Sequence, residues 1–221
     1  LLVSFYSDLG EARWIAEDLV KRHESGSAWN DHMILTRTAW GARGVEAKLI
    51  ENNIPYVFIG GTSFLQAAHV KDLLCLVRAA ASVKDELAWM RYLTLWPKIG
   101  EITASRIIAS MKDAGTMEEA LNRLSGNLTK DEGKIVAGPK AILEHWDEPT
   151  SALHAGASFL EPVLSGKYDM WDSRKRDFDL LERLAEPYQS LMRFIEVYTL
   201  DPISSSVASR SENQDMVIII T

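Results

Sequence analysis

Arg37 follows, after Thr36, the short apolar run Met33–Leu35, which predicts a β-strand. The carboxyl end of a strand is where α/β folds bind ligands, and a guanidinium group forms paired hydrogen bonds with phosphate oxygens. The residue type and its position therefore predict a phosphate-binding cation at the rim of a sheet. On these residues alone, a surface arginine or one held in a salt bridge remains the alternative.

A second candidate site begins at Pro97 and precedes a helical segment. A tight turn at a helix N-terminus exposes backbone amide groups that suit a DNA phosphate, as in a helix-hairpin-helix. A purely structural turn is an equal alternative. The residues predicted to contact DNA are Lys98, Ile99, Gly100 and Thr103.

Two Gly-Lys pairs, Gly133-Lys134 and Gly166-Lys167, do not make an ATP phosphate cradle. The cradle G-x-x-x-x-G-K-[ST] needs a preceding strand, an earlier glycine at fixed spacing and a hydroxyl after the lysine. Ile135 occupies the hydroxyl position of the first pair, and the second pair fails similarly. The chain on its own is therefore predicted not to hydrolyse ATP. The five histidines are scattered, so no metal site is predicted.

The elements that must position Arg37 are alternating strands and helices. The predicted strands are Leu1–Tyr6, Met33–Leu35 and Tyr56–Ile59, and one predicted helix begins after Ser7 or Asp8 and another near Ala39. This alternation implies right-handed crossovers and a parallel sheet, of which three strands are only a part.

From about residue 66 onward the pattern is almost wholly helical. Candidate helices are Gln66–Ala81, Asp85–Leu95, Glu101–Asp113, Met117–Leu124, Ala137–Trp146, Ser151–Leu164 and Asp172–Tyr198, the last kinked or broken at Pro187. The serine-rich Thr199–Asp215 stretch is typical of an exposed linker, and Met216–Thr221 of a buried strand. A chain that begins α/β, becomes helical and returns to a strand has the organisation of a domain with an insertion.

The composition is that of an ordinary globular protein, with 47% hydrophobic and 25% charged residues. No apolar run approaches the roughly 20 residues of a membrane span. A single cysteine, Cys75, leaves no disulfide framework, which predicts a cytoplasmic protein. The net charge of −7 argues against DNA binding by bulk electrostatics, so basic groups must be arranged locally or supplied by a larger protein. The cluster Arg174-Lys175-Arg176 is more typical of a solvated helix face than of a DNA site.

Several short motifs follow one another in a fixed order along the chain. They are Ile34-Leu35-Thr36-Arg37, Ala42-Arg43, Ile54-Pro55-Tyr56, Gly60-Gly61, Phe64 and Val70-Lys71-Asp72. This order resembles the second RecA-like domain of superfamily 1 DNA helicases of the UvrD, Rep and PcrA type. The resemblance continues more weakly through Arg91, residues 96–100 and residues 172–202, and so covers nearly the whole chain. His69 stands where the family usually has glutamate, and no role is assigned to it.

The resemblance implies an α/β fold in which an incomplete parallel RecA-like sheet carries a mainly α-helical inserted subdomain. Residues 1–125 would form the first part of the second RecA-like domain. Residues 126–208 would form the helical insertion with its linker, and residues 209–221 the returning strand. The family's phosphate cradle and magnesium ligands would lie upstream of Leu1 and its next motif, H-x-A-K-G-L-E, downstream of Thr221. The chain is therefore predicted to be a fragment.

The resemblance also implies roles for individual residues. The family's arginine at this place reaches the ATP γ-phosphate, so Arg37 is the predicted catalytic and nucleotide-binding residue. Thr36 is the second predicted nucleotide-binding residue, although many members carry there an aromatic residue that stacks on adenine, and threonine cannot stack. For Arg43, a functional role and an ion pair on the helix surface are equal alternatives. Lys98 replaces the first glycine of the family's R-G-I-G turn.

The function implied is part of an ATP-dependent DNA helicase that moves on single-stranded DNA and unwinds duplexes, in repair or replication. ATP and magnesium would be its cofactors. Its partners would be single-stranded and forked DNA and the first RecA-like domain of the same chain, with no membrane. The alternative is a non-enzymatic module that binds DNA or protein and does not contact ATP.

Overall fold

The computed structural model describes residues 2–129, 133–199 and 215–221. Contacts divide the chain into two compact units. The sheet unit comprises Leu1–Ala67 and Glu196–Thr221, and the helical unit comprises Ala68–Ile195. The predicted linker, Thr199–Asp215, lies outside the described residues except at its two ends. The predicted domain boundary between residues 125 and 126 stays a prediction.

Three short parallel strands form the sheet: β1 (Met33–Leu35), β2 (Tyr56–Ile59) and β3 (Val217–Ile220). The strand order is β1-β3-β2, and Ile219 of β3 is in register with residue 34 on one side and residue 58 on the other. The last strand of the chain therefore lies in the middle of the sheet. This confirms the predicted α/β fold with an incomplete parallel sheet.

Two helices of the sheet unit, α1 (Asp8–Glu24) and α2 (Ala39–Glu51), pack against each other. Ser7 caps α1, because its Oγ accepts a hydrogen bond from the Gly10 amide at 3.1 Å. The hydroxyl of Thr38 caps α2 in the same way and accepts from the amide of residue 41 at 3.1 Å. The cap predicted at Ser7 or Asp8 is thus Ser7.

The predicted strand Leu1–Tyr6 is wrong for the residues that the structure describes. Residues 2–6 have no regular secondary structure, and Leu2 and Tyr6 are fully exposed. The β-favouring residues are present, but a strand is stable only when a neighbour accepts and donates its ladder hydrogen bonds. No strand among the described residues pairs with this segment.

Seven helices build most of the helical unit, and an eighth follows them. They are α3 (Ala68–Ala81), α4 (Glu86–Leu93), α5 (Glu101–Met111), α6 (Met117–Gly126), α7 (Ala137–Glu144), α8 (Pro149–Lys167), α9 (Trp171–Ala185) and α10 (Leu191–Thr199). The segment predicted as Asp172–Tyr198 is thus interrupted between α9 and α10. Pro187 lies in the interruption, where its ring and its missing amide hydrogen prevent a continuous helix.

A completely buried carboxylate, Asp72 in α3, joins three helices of the helical unit. Its Oδ1 accepts a hydrogen bond from Arg91 Nε of α4 at 2.6 Å. Its Oδ2 accepts from the Tyr168 hydroxyl at 2.7 Å and from Lys167 Nζ, at the end of α8, at 3.3 Å. Burial, followed by the hydrogen bond to Asp72, raises the pKa of Tyr168 and keeps its hydroxyl a donor. A buried charge is tolerated only with such partners.

A second buried polar pair joins α3 to α9. His69 Nε2 lies 2.9 Å from Asp177 Oδ2, and His69 Nδ1 lies 3.4 Å from Arg174 Nη1. A guanidinium group can only donate, so Nδ1 accepts and Nε2 carries the hydrogen that is donated to Asp177. His69, to which the sequence assigned no role, therefore serves to hold two helices together.

Replacing Asp72 with alanine should lower the free energy of unfolding by about 3 kcal/mol, because two cations and a hydroxyl lose their common acceptor. Glu86→Ala is the matched control, since Glu86 pairs with Lys112 on an exposed surface and such a pair contributes less than about 1 kcal/mol. Urea unfolding followed by far-ultraviolet circular dichroism measures both. Equal losses in the two variants would show that Asp72 does not organise the helical unit.

Candidate functional site

The first candidate site is the connection between β1 and α2. The Thr36 amide continues the ladder by donating to Ile220 O at 2.9 Å, and the Thr36 hydroxyl donates to Thr38 O at 3.2 Å. Arg37 follows at the carboxyl end of the sheet, immediately before the residue that caps α2. Both residues that the sequence predicts to bind nucleotide thus lie at the sheet rim.

The Arg37 side chain is exposed. Within residues 2–129, 133–199 and 215–221 it makes no hydrogen bond and no ion pair. The N-terminal end of α2 beside it carries the positive end of the helix dipole. A permanent cation next to a helix N-terminus at a sheet rim is an arrangement that binds phosphate.

The glycine pair after β2 has a steric role. Gly60 adopts a φ of +99°, and a Cβ atom there would lie 2.7 Å from the carbonyl oxygen of Thr221. Only glycine fits this close approach at a positive φ. The Thr221 amide also donates to Ile59 O at 3.2 Å, which ties the end of β3 to the turn. Gly60 and Gly61 thus form the bend that follows β2.

Arg43 forms an ion pair inside the sheet unit and not on a helix surface. Its Nη1 donates to Thr62 O at 2.6 Å and to Glu46 Oε2 at 3.3 Å. The Glu46 carboxylate is fully buried and accepts from the Phe64 amide at 3.0 and 3.1 Å. The structure thus shows an ion pair for Arg43, but a buried one and not the predicted pair on the helix surface, and it stabilises the loop that follows Gly60.

Burial raises the pKa of Glu46, and the hydrogen bond from Ser63 and the charge of Arg43 act in the opposite direction. The buried carboxyl group therefore holds its proton more tightly than an exposed glutamate does. It lies beneath the loop, where it accepts hydrogen bonds from the Phe64 amide and from Arg43, so its role is structural.

The second candidate site is the turn between α4 and α5, in the helical unit. The Ile99 amide donates to Trp96 O at 3.2 Å, and Lys98 adopts a φ of +74°. This is the left-handed region that favours glycine, the residue of the family's turn at this place. Gly100 begins α5 without any side-chain cap, so the amide groups of the first turn are not bonded to a capping side chain.

The predicted DNA-contacting residues differ in exposure. Lys98 and Gly100 are exposed, Thr103 is half-buried, and the Ile99 side chain is 4% exposed. Ile99 can therefore offer only its backbone to a ligand. An exposed acidic residue, Glu101, lies in the first turn of α5 and opposes an anion there.

The basic cluster at the start of α9 is engaged by neighbouring groups. Arg174 Nε donates to Asp169 O at 2.9 Å, and Lys175 Nζ donates to Glu161 Oε1 at 2.8 Å. Arg176 donates to the hydroxyl of residue 173 at 3.3 Å. These bonds agree with the interpretation of the cluster as part of a solvated helix face and not a DNA site.

Sequence reasoning missed Asp72 as a structural residue, although a signal for it exists. Asp72 lies one helical turn before Leu76, which is completely buried. Helical periodicity alone therefore places this carboxylate in the core, where it needs donors.

Among the described residues, no group of three or more His, Cys, Asp or Glu side chains could hold a metal ion. The helices described are also too short or too polar to cross a membrane. The rim at Arg37 offers a phosphate a cation and the N-terminus of α2.

Comparison with known proteins identifies the family. The model of the UvrD-like helicase C-terminal domain matches residues 1–129, more than half of the chain. An ATP-dependent DNA helicase PcrA from Staphylococcus epidermidis is 32% identical over 90 residues, and one from Staphylococcus aureus is 31% identical over 90 residues. Each match covers 41% of this chain and 12% of the relative. The matched stretch is thus a small part of the relatives' length.

The pKa of Glu46 gives a testable pH dependence. Because folding raises this pKa, the stabilisation that protonated Glu46 provides is present below its ordinary value of 4.5 and lost as pH rises through the raised value. The variant Glu46→Gln carries a neutral amide at every pH and therefore does not lose this stabilisation as pH rises. The stability of the wild type relative to Glu46→Gln should therefore fall as pH rises, measured by urea unfolding at a series of pH values.

Glu119→Gln is the control for this experiment. A hydrogen bond from the Gly115 amide lowers the pKa of Glu119, so the wild-type advantage over Glu119→Gln should fall as pH is lowered. If the free energies of unfolding of the wild type and Glu46→Gln changed in parallel with pH, the assignment of a raised pKa to Glu46 would be contradicted.

Proposed function

The chain belongs to the UvrD-like helicase C-terminal domain family, and on that basis we propose that it forms part of an ATP-dependent DNA helicase. Such a protein would couple ATP hydrolysis to movement on single-stranded DNA and to duplex unwinding. The observation that carries the proposal is the exposed guanidinium of Arg37 at the rim of a parallel sheet, within the part of the chain that matches the family.

In this proposal Arg37 contacts the γ-phosphate of ATP and neutralises the charge that develops on the transferring phosphoryl group. Thr36 lies next to the nucleotide through its backbone, since its hydroxyl is bonded to Thr38 O. Magnesium and the phosphate cradle would be provided by the first RecA-like domain of a longer protein. The 221-residue chain alone would not hydrolyse ATP.

DNA would be contacted in the helical unit at the turn before α5. The exposed Lys98 ammonium and the amides that follow Gly100 offer one phosphate a cation and several donors. With a net charge of −7, the chain as a whole repels DNA, so this contact must be local. Single-stranded and forked DNA are the proposed ligands, and a cytoplasmic role in repair or replication follows from the helicase assignment.

Arg37→Ala in a longer protein that carries both RecA-like domains should lower kcat for DNA-stimulated ATP hydrolysis by about 10³, by analogy with other arginine fingers. The melting temperature should hardly change, because an exposed arginine at a sheet rim contributes little packing. Arg13→Ala, which removes another exposed arginine of the sheet unit, is the matched control. An unchanged kcat for Arg37→Ala would support the non-enzymatic alternative for this site.

Two opposite charge changes test the DNA site. Lys98→Glu should weaken binding of a single-stranded oligonucleotide to the 221-residue chain, and the salt dependence should become shallower by about 0.7 per lost phosphate contact. Glu101→Gln should strengthen binding, because it removes a negative charge from the first turn of α5. Fluorescence anisotropy across a salt series measures both.

Lys140→Glu is the control for these changes, since it reverses the charge of an exposed lysine of α7. If Lys140→Glu weakens binding as much as Lys98→Glu, the DNA responds to total charge and the turn is not its site.

A further inference from the structure

A cavity of about 510 Å³ lies in the helical unit against the same turn that carries Lys98. Apolar groups form most of its wall: Leu95, Trp96, Pro97, Ile135, Pro162 and Val163. Its volume is within the range of small-molecule sites, which are mostly apolar with a few charged groups that fix orientation. The two prolines are rigid and carry no donor, so the wall has a fixed shape.

Three lysines also line this cavity, and they come from distant parts of the chain: Lys98, Lys134 and Lys167. Lys134 and Lys167 belong to the two Gly-Lys pairs that the sequence excluded as ATP cradles. No carboxylate is present among the described residues that line the cavity. Among the lining residues that the structure describes, most are apolar and the charged ones are all lysines.

The positions of these groups are fixed by the surrounding structure. Lys134 Nζ lies 5.6 Å from the centroid of the Trp96 ring. Lys167 Nζ lies 3.3 Å from Asp72 Oδ2, inside the buried network described above. The Tyr92 hydroxyl donates to Ile135 O and so ties one wall to α4. A site whose walls are already in place loses little entropy when it binds a ligand.

We infer that the cavity binds one nucleotide unit of a DNA strand, with the phosphate against the lysine ammonium groups and the base against the apolar wall. The inference rests on the proposed function, because the strand is the one placed on the Lys98 turn. Lysine binds phosphate as a point charge, and nucleic-acid sites combine cations with flat apolar surfaces. The amides at the start of α5, which have no side-chain cap, adjoin Lys98 and can donate hydrogen bonds to a phosphate.

Fluorescence anisotropy of the 221-residue chain with a fluorescein-labelled thymidine oligonucleotide tests the inference. A second oligonucleotide carries abasic sites, which keep every phosphate and remove the bases. The wild type should bind the abasic strand about fivefold more weakly, at the low end of the range for base contacts. This comparison needs no variant protein, so it does not depend on the folding of one.

Gly166→Leu places an apolar side chain at the wall of the cavity, and its Cβ atom would meet no atom within 4 Å. Gly126→Leu is the matched control, since Gly126 is equally open, lies at the end of α6 and does not line the cavity. Gly166→Leu should bind the normal and abasic strands equally, both more weakly than the wild type binds the normal strand. Gly126→Leu should retain the fivefold difference.

Three outcomes would overturn the inference. The first is DNA binding that depends on Lys98 but is indifferent to Gly166→Leu and to abasic sites, which leaves the proposed function intact. The second is displacement of the oligonucleotide by free thymidine monophosphate at equal concentration, which assigns the cavity to a free nucleotide. The third is that Gly166→Leu loses binding of a labelled glutamate-leucine peptide while its DNA binding is unchanged. That result assigns the cavity to an acidic protein segment. A wild-type chain that binds no DNA contradicts the proposed DNA site itself.

Discussion

The buried carboxylate of Asp72 is the interaction on which the helical unit depends. A charge with no exposed surface is stable only while its donors stay in place, so α3, α4 and α8 cannot rearrange independently. One of those donors, Lys167, also lines the cavity, and another, Arg91, lies on the helix that leads to the Lys98 turn. The geometry of both candidate ligand sites in this unit is therefore set by a residue that contacts no ligand.

The same logic applies in the sheet unit, where Glu46 and Arg43 form a buried pair beneath the loop after β2. Most residues of the family-like motifs consequently have structural roles. Gly60 permits a close approach of two strand ends, and Phe64 is fully buried with its amide bonded to Glu46. Arg37 differs from them, because within the described chain its charged group is left exposed and unbonded. Most residues of such a motif therefore stabilise the fold, and Arg37 is the position proposed to take part in chemistry.

Local signals in the sequence predicted the elements that have local causes. The strands β1 and β2 have the predicted bounds and the helix α2 begins where predicted, because apolar runs and capping residues act over a few positions. The strand at residues 1–6 was wrong because pairing depends on a distant partner. The lysine cavity could not be predicted at all, since Lys98 and Lys167 are brought together only by the packing of helices. For the same reason, the burial of Ile99 was not evident from its place in a turn.

The position of β3 between β1 and β2 has a consequence for the order of events during synthesis. Its residues are translated more than 150 positions after those of β2, so β1 and β2 emerge from the ribosome well before the strand that lies between them. The helical unit is complete in the chain earlier, and the hydrogen bonds within each helix are local, which favours rapid folding. We therefore expect the helices to form first, and their compaction to shorten the distance that β3 must cover to reach the sheet. An insertion that folds early would in this way assist the domain that it interrupts.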